Sequence, residues 1–390
     1  MKKVKKEIFL VLSVLIMILI AADYFNSRQD IKIINNYKTL YEEDKISSND
    51  IRDATNIVYE NSSQEIEAYF CAVDNCTLKL LEHIYFADKI HCALYDLSLK
   101  PIIDALNQSY NEGKDVKLIV DNENYKKVSD LKFARQDTSS QLSHNKFCIF
   151  DFAPESNRND KNEDNNKNND EDSNEDNKND IVLTGSFNPT RNAYVNDNNI
   201  VILQSRYIAS NYEDEFNELW NGIFRKGNKV AYPVIILNSI KIENYFCPED
   251  SCATHINTIL NSANTSIYFM AFSFTNDLLA NTIIMKHNDG LEVKGVYEKS
   301  QTNSNIWKEY DYITKTPVNI IPDTNKYNMH HKVFIIDNSI VVTGSFNPTK
   351  SADTKNDENV LIIHSKDIAK EFSEEFSRIF AAANVKNENI

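Results

Sequence analysis

One pattern of residues occurs twice in this 390-residue chain, and it constrains the fold more than any other feature. In the first half, Ser143-His144-Asn145-Lys146 leads into Phe-Cys-Ile-Phe and Asp151. After a long polar stretch comes Leu183-Thr-Gly185-Ser186-Phe187-Asn188-Pro-Thr190. In the second half, His330-His331-Lys332 leads into Val-Phe-Ile-Ile and Asp337, and Val342-Thr-Gly344-Ser345-Phe346-Asn347-Pro-Thr349 follows at once. His-x-Lys-x4-Asp therefore appears twice at one internal spacing, with Gly-Ser-Phe-Asn-Pro-Thr identical each time. The apolar run predicts a buried strand, and its flanking His and Lys, two residues apart, share a face. A second apolar strand ends in Gly-Ser-x-Asn, so a hairpin returns those residues beside the His and Lys.

The repeat extends to domain size, from Tyr69 to about Phe224 and from Tyr245 to about Phe380. Each copy opens on Tyr-Phe-Cys and a helical stretch (77–87; 253–263), then an apolar run (90–97; 267–274). A second helix and strand follow (101–110 then 116–121; 277–287 then 291–298). Each copy closes on a helix rich in Glu and Phe (208–224; 368–380). Short, almost continuously apolar strands suit a sheet covered on both faces, and their alternation with helices predicts an α/β layered domain. A length of 390 residues suits two such domains.

Three segments read as peripheral. Residues 26–65 are polar and predict a stalk or linker, ahead of domains at 66–228 and 229–385. Residues 153–180 are almost wholly Asn, Asp, Glu, Lys and Ser, a solvated insertion too polar to fold, in the connection of the first hairpin. The stretch 152–180 holds ten acids against four bases, so it supplies −6 of the formal charge of −15. The acidic balance argues against a non-specific nucleic-acid binder, which neutralises phosphates with a basic face. At the N-terminus, Lys2, Lys3, Lys5 and Lys6 precede an uncharged apolar run over 8–22. That run spans about 22 Å as a helix, against a hydrocarbon core of ~30 Å. Residues 1–25 thus predict a hydrophobic helix, either an uncleaved membrane anchor or a cleaved signal. The poor cleavage site (Ile20 two residues before Ala22) favours the anchor, and either way the rest of the chain is exported.

Six cysteines are present. Cys71 and Cys76, and Cys247 and Cys252, form two C-x4-C pairs in matching contexts. Export favours two short-range disulfides, with free thiols or one shared zinc as alternatives. Cys92 and Cys148 lie in apolar runs and read as buried strand residues.

The duplicated residues fit phosphodiester chemistry. Such a reaction needs a nucleophile, an acid for the leaving oxygen, and clamps on the charged oxygens. His144 and His330 divide the first two roles if one is neutral and the other protonated. Lys146 and Lys332 supply positive charge where other sites use a metal, and they would repel a cation held among them. One copy offers half of the set, so duplication completes the site. A lone strand histidine is more often a satisfied core residue, the reading given to His255, His287 and His364. Two copies at equal spacing make chance a poor account.

His-x-Lys-x4-Asp with Gly-Ser-x-Asn resembles the phospholipase D superfamily over residues 66–385. The resemblance implies two α/β/α sandwich halves related by a pseudo-twofold axis, with one active site at their interface and no cofactor. It implies a metal-independent, two-step reaction through a phosphohistidine. Lys146, Lys332, Asn188 and Asn347 would hold the phosphate, with Ser186 and Ser345 assisting, while Asp151 and Asp337 fix local structure. A downstream acid orients the catalytic imidazole in this family. Glu358 matches that position in the second half, whereas the first half has Asn198, with Asp197 the nearest substitute. Pairing within each half gives Glu358 to His330, making His330 the proton-holding acid and His144 the attacking base. Anchorage and acidity favour phospholipid head groups as substrate. Compactness like that of the nuclease members keeps DNA or RNA cleavage as the alternative, and a non-catalytic membrane scaffold is remote because both His/Lys sets are intact. A monomer suffices, since both half-sites lie in one chain.

Overall fold

The computed structural model describes residues 57–151, 180–303, 313 and 315–387. The predicted N-terminal helix (1–25), most of the predicted stalk and the insertion up to residue 179 lie outside these residues. No helix among the described residues is long and apolar enough to cross a membrane.

The first half runs β2 (Glu67–Phe70), α1 (Cys76–Phe86), β3 (Lys89–Leu94), α2 (Lys100–Asn111), β4 (Asp115–Val120), β5 (Ala134–Gln136), β6 (Lys146–Asp151), β7 (Ile181–Gly185), β8 (Asn199–Gln204) and α3 (Arg206–Trp220), after a separate strand β1 (Ile57–Glu60). The second half repeats this with β9 (Val234–Leu237), β10 (Ile240–Cys247), α4 (Cys252–Asn261), β11 (Ser266–Ala271), α5 (Asp277–Asn288), β12 (Glu292–Tyr297), β13 (Asn319–Pro322), β14 (Lys332–Ile336), β15 (Ile340–Gly344), α6 (Lys350–Thr354), β16 (Glu358–His364) and α7 (Lys366–Asn387). The sheet orders are β2-β8-β7-β6-β3-β4-β5 and β1-β9-β10-β16-β15-β14-β11-β12-β13. Seven strands correspond one to one. The second sheet adds β9 and, parallel to it with Ile57 opposite Val234, β1. Ile57–Glu60 falls within the predicted stalk; its Ile-Val-Tyr sequence completes a sheet edge instead.

Alternation along each strand builds the layers. In β6, Phe147 and Ile149 enter a central core with Tyr212, Phe216 and Leu219 of α3 and Phe372, Phe376 and Ile379 of α7. Cys148 and Phe150 point to the other face, against Leu80 and Ile84 of α1 and Ile102 and Leu106 of α2. The second half has its own outer core, with Phe334 and Ile336 of β14 against Ile256 of α4 and Ile283 of α5. Both long terminal helices thus lie between the sheets, and the central core joins the halves.

Disulfides link Cys71 to Cys76 and Cys247 to Cys252, with Cα–Cα separations of 5.2 and 5.7 Å. A third, unanticipated from the sequence, joins Cys92 to Cys148. They stand directly opposite on antiparallel β3 and β6, a register invisible until the strands are paired. No cysteine is left free for zinc.

Candidate active site

The paired motifs sit where the two sheets meet. His144 and His330 immediately precede β6 and β14, which start at Lys146 and Lys332. Both hairpins return Gly-Ser-Phe-Asn alongside: β6 pairs with β7 and β14 with β15. Gly185 and Gly344 have φ of +146° and +138°, and a Cβ at either would meet the carbonyl oxygen of Asn199 or Asn359. Only glycine tolerates both conditions, which explains its place in each copy.

The halves are then wired across, not within. Ser143 bridges Asp357 and Met329 bridges Asp197. The His144 N–H donates to the Asp357 carbonyl at 2.9 Å, and the His330 N–H donates to the Asp197 carbonyl at 2.9 Å. Exchanging the halves turns one set of contacts into the other, as an approximate twofold requires. The next residue along, Glu358 or Asn198, therefore faces the histidine of the opposite half. His144 Nδ1 lies 2.7 Å from Glu358 Oε2. His330 Nδ1 lies 3.0 Å from Asn198 Oδ1 and 3.0 Å from the Ser186 carbonyl. This corrects the within-half pairing expected from the sequence: Glu358 serves His144, not His330. Asp197 replaces no carboxylate either, since its side chain accepts from Arg378 and from Asn325.

Each imidazole is bounded by an aromatic ring at aligned positions. Tyr95 meets His144 edge-on at 4.9 Å between centroids, and Phe272 meets His330 at 4.8 Å. Lys146 Nζ lies 5.3 Å from the Tyr95 centroid and Lys332 Nζ 5.0 Å from that of Phe272. Both ammonium groups also donate 2.7 Å bonds to the carbonyls of His144 and His330. The sequence reading missed these rings; their matching place at the end of β3 and β11 was the available signal.

The site holds four basic groups in a dry place. Burial pulls the His144 imidazole down to about 4 despite the opposing attraction of Glu358, with Lys146 and Lys332 adding to the fall. Burial pulls His330 well down, and Lys332, Lys146 and His144 push the same way. Lys146 falls to about 7 and Lys332 well below the usual ammonium range, in both cases through burial first. Burial raises the Glu358 carboxyl, but His144, Lys146 and Ser345 more than offset that and hold it below the usual range. At neutral pH the pair is thus a carboxylate and a neutral imidazole whose proton is on Nδ1, leaving Nε2 as a lone-pair donor.

The serines depart from their expected role at the phosphate. Ser186 Oγ donates to Asn199 Oδ1 at 3.0 Å and Ser345 Oγ donates to Glu358 Oε2 at 2.7 Å. Both are fully buried, so Ser345 braces the carboxylate that orients His144. Asn188 and Asn347 each have a buried amide oxygen without a partner, so those amides keep hydrogen-bonding capacity unspent. At the far end of β14, the Asp337 carboxylate accepts from the N–H groups of Asn264, Thr265 and Ser266. At the matching end of β6, the Asp151 carbonyl accepts from the Asp88 N–H. Asn199 and Asn359, also missed, cross between halves: their amides donate to Thr343 Oγ1 and Thr184 Oγ1 at 2.8 and 2.6 Å.

Comparison with known proteins adds four findings. A family model described as "Cardiolipin synthase, PLD-like domain" matches residues 81–220 and 256–380, once in each half. A protein named phospholipase D from Rickettsia typhi (strain ATCC VR-144 / Wilmington) is 31% identical over 148 residues, 38% of this chain and 72% of that protein. One named mitochondrial cardiolipin hydrolase from Chlamydomonas reinhardtii is 28% identical over 121 residues, 31% of this chain and 54% of that protein. Among solved structures, phosphatidylserine synthase from Haemophilus influenzae Rd KW20 matches with a TM-score of 0.58 at 13% identity, over 80% of this chain and 86% of that one. At that identity the likeness speaks for the fold alone.

Proposed function

This chain belongs to the phospholipase D-like family, and on that premise we propose that it hydrolyses phospholipid head groups through a phosphohistidine formed on His144. The observation that carries the reading is the crossed wiring, which puts a carboxylate behind His144 and only an amide and a carbonyl behind His330. Both Nδ1 atoms are engaged, so both Nε2 atoms are left for the reaction.

In the first step His144 Nε2 attacks phosphorus and forms the N–P bond as the P–O bond to the leaving alcohol breaks. His330 Nε2–H protonates that oxygen. In the second step water attacks phosphorus, gives its proton to His330 and releases His144 as the N–P bond breaks. Glu358 keeps the Nδ1 proton throughout and balances the positive charge of the phosphoimidazolium. His330 starts the cycle protonated only once the anionic diester is bound, since the same charge that seats between Lys146 and Lys332 reverses the electrostatics that keep it neutral. The assignment of attack to His144 therefore rests on the opposite ground from the sequence argument: a carboxylate partner, not the lack of one. The lysines supply the charge stabilisation, so the reaction proceeds without a metal.

Three disulfides support an exported catalytic region; the apolar run after the N-terminal lysines would hold it at the membrane, and both half-sites in one chain would let it act as a monomer. The test is acid-quenched turnover of phosphate-labelled phospholipid. His144→Ala and His330→Ala should each lower turnover about 10³-fold or more, and label should be trapped on His144. Label on His330 alone would reverse the roles, and cleavage of oligonucleotide but no phospholipid would move the substrate to nucleic acid.

A further inference from the structure

The end of the sheets that carries the site is basic, in a chain that is acidic overall. Two segments there touch the backbones of the catalytic histidines. Residues 186–198 join β7 to β8, and the Asp197 carbonyl takes the His330 N–H; residues 345–357 join β15 to β16, and the Asp357 carbonyl takes the His144 N–H. Residues 323–331 lead into β14 beside the first segment, where Asn325 Nδ2 donates to the Val195 carbonyl and the Asn328 N–H to Asn196 Oδ1. Residues 221–228 follow α3 beside the second, where the Arg225 N–H donates to the Asp357 carboxylate.

These four segments carry Arg191, Arg225, Lys226, Lys326, Lys350 and Lys355, all exposed and none in an ion pair with a described residue. Arg191 and Lys350 are equivalent positions, each directly after the Asn-Pro-Thr of its motif. The acids on the same segments are Asp197, Asp323 and Asp357, which are buried, and Asp353, whose carboxylate accepts the Ala253 N–H. Exposed cations therefore rim the site on both sides, against a net charge of −15 for the whole chain. Asp151 and Ile181, which bound the acidic insertion, stand at the far end of β6 and β7. On the His330 side, Tyr194 and Tyr327 accompany Arg191 and Lys326 and are 62% and 41% exposed.

We propose that this rim is a docking surface for an anionic lipid bilayer, so that anionic lipid around the substrate, the reaction product included, speeds turnover. The inference rests on the phospholipid reading and adds a regulation to it. A head group lying in a bilayer reaches buried His144 and His330 only if this face meets the bilayer. A Lys or Arg held near an anionic leaflet strengthens binding about fivefold, and the acidic insertion starts from the opposite end, turned away from that charge. Tyrosine suits the boundary between head groups and acyl chains. A single polynucleotide strand is held by aromatic rings spaced along a groove, whereas both exposed tyrosines here stand on one side of the site. Hydrolysis of zwitterionic phosphatidylcholine consumes water, breaks the P–O bond to choline and leaves phosphatidate, so the bilayer gains negative charge as the reaction runs.

The test follows choline release by the full chain in phosphatidylcholine vesicles with and without phosphatidate, a monoester with no head-group bond to break. Wild type should work about tenfold or more faster with phosphatidate at low salt. Without it, progress curves should start slowly and accelerate as product accumulates, and high salt should erase the difference. In Arg191→Glu/Arg225→Glu/Lys326→Glu/Lys355→Glu the ratio should fall toward one and progress should stay slow and linear. Turnover of a dissolved short-chain phosphatidylcholine should remain at the wild-type level. Equal or lower wild-type rates with phosphatidate, or undiminished stimulation in the variant, would overturn the docking surface and leave the phospholipid reading intact. An equal loss on bilayer and dissolved lipid, in this variant and in the milder Gln series alike, would overturn it too. Cleavage of oligonucleotide and of neither lipid would overturn both.

Discussion

Glu358 does for His144 what no described residue does for His330. Its Oε2 atom accepts a hydrogen bond from the His144 Nδ1–H at 2.7 Å and from the Ser345 hydroxyl at 2.7 Å, so its position is fixed on two sides. The amide of Asn198 offers His330 a hydrogen-bond acceptor without charge. If the phosphoimidazolium forms on His144, its positive charge needs that carboxylate, and Glu358→Gln should lower kcat by about 10²–10⁴-fold with KM changed little, because the lost interaction exists mainly once charge has developed. The Asn198→Ala variant should cost far less. Steady-state kinetics on a soluble phosphodiester read both. Sequence spacing marked both positions correctly but assigned Glu358 to the wrong histidine, since spacing along a chain carries no information about which half a side chain reaches.

The two terminal helices show the same duplication with a different outcome. On α7, Arg378 donates to Glu375 and Asp197, and Glu375 also contacts His331 Nε2. Burial opposes ionisation of Glu375, yet Arg378 and His331 hold its carboxyl down at about 2. The equivalent residues around α3 are Glu218, Glu215, Asp357 and Asn145, with no cation among them. Glu215 takes only an Asn145 amide at 3.1 Å, and Asp357 Oδ2 is buried without a partner. Burial raises Asp357 to about 8, reinforced by Glu249 and Asp137, and raises Glu215 well above the usual range, reinforced by Asp357. The sign follows from linkage: the folded chain holds protons that the unfolded chain releases near pH 4, so their contribution is complete below that pH and is lost as pH rises through about 8. Glu218→Arg restores the missing cation. It should raise Tm more at pH 8 than at pH 5, flattening the pH dependence in thermal melts, although it gives up the bonds from Asn228 to Glu218. The main helices and the strands β3, β4, β6 and β7 with their counterparts were readable from periodicity because each buries a simple face, although α7 runs seven residues past its expected end; β1, β5, β8, β9, β13, β16 and α6 were not foreseen. The charge imbalance between α3 and α7 was not, since it needs the register of one half against the other.

At the scale of the whole molecule, the repeat carried most of what could be read. Identical spacing of His, Lys and Gly-Ser-Phe-Asn requires the same local fold twice, and both sheets repeat one order of seven strands. What spacing could not supply was the interface: the crossed backbone contacts at Asp197 and Asp357, the Asn199 and Asn359 amides, and the rings of Tyr95 and Phe272 are all relations between segments far apart in the chain. That interface also sets a property neither half has alone. His144, Lys146, His330 and Lys332 converge, and in the unliganded site burial lowers all four, with neighbouring cationic groups adding to the fall for His144, His330 and Lys332. An anion bound among them favours their charged forms, so binding must take up protons. Sulfate keeps a constant charge near neutrality and isolates the protein's share of this linkage. Its affinity should rise as pH falls through about 7, the range in which Lys146 regains its proton. Calorimetry in two buffers of different ionisation enthalpy should show net proton uptake at pH 8, reduced in the Lys146→Met variant. Binding with no buffer dependence would mean that all four groups already carry their final protonation before the anion arrives.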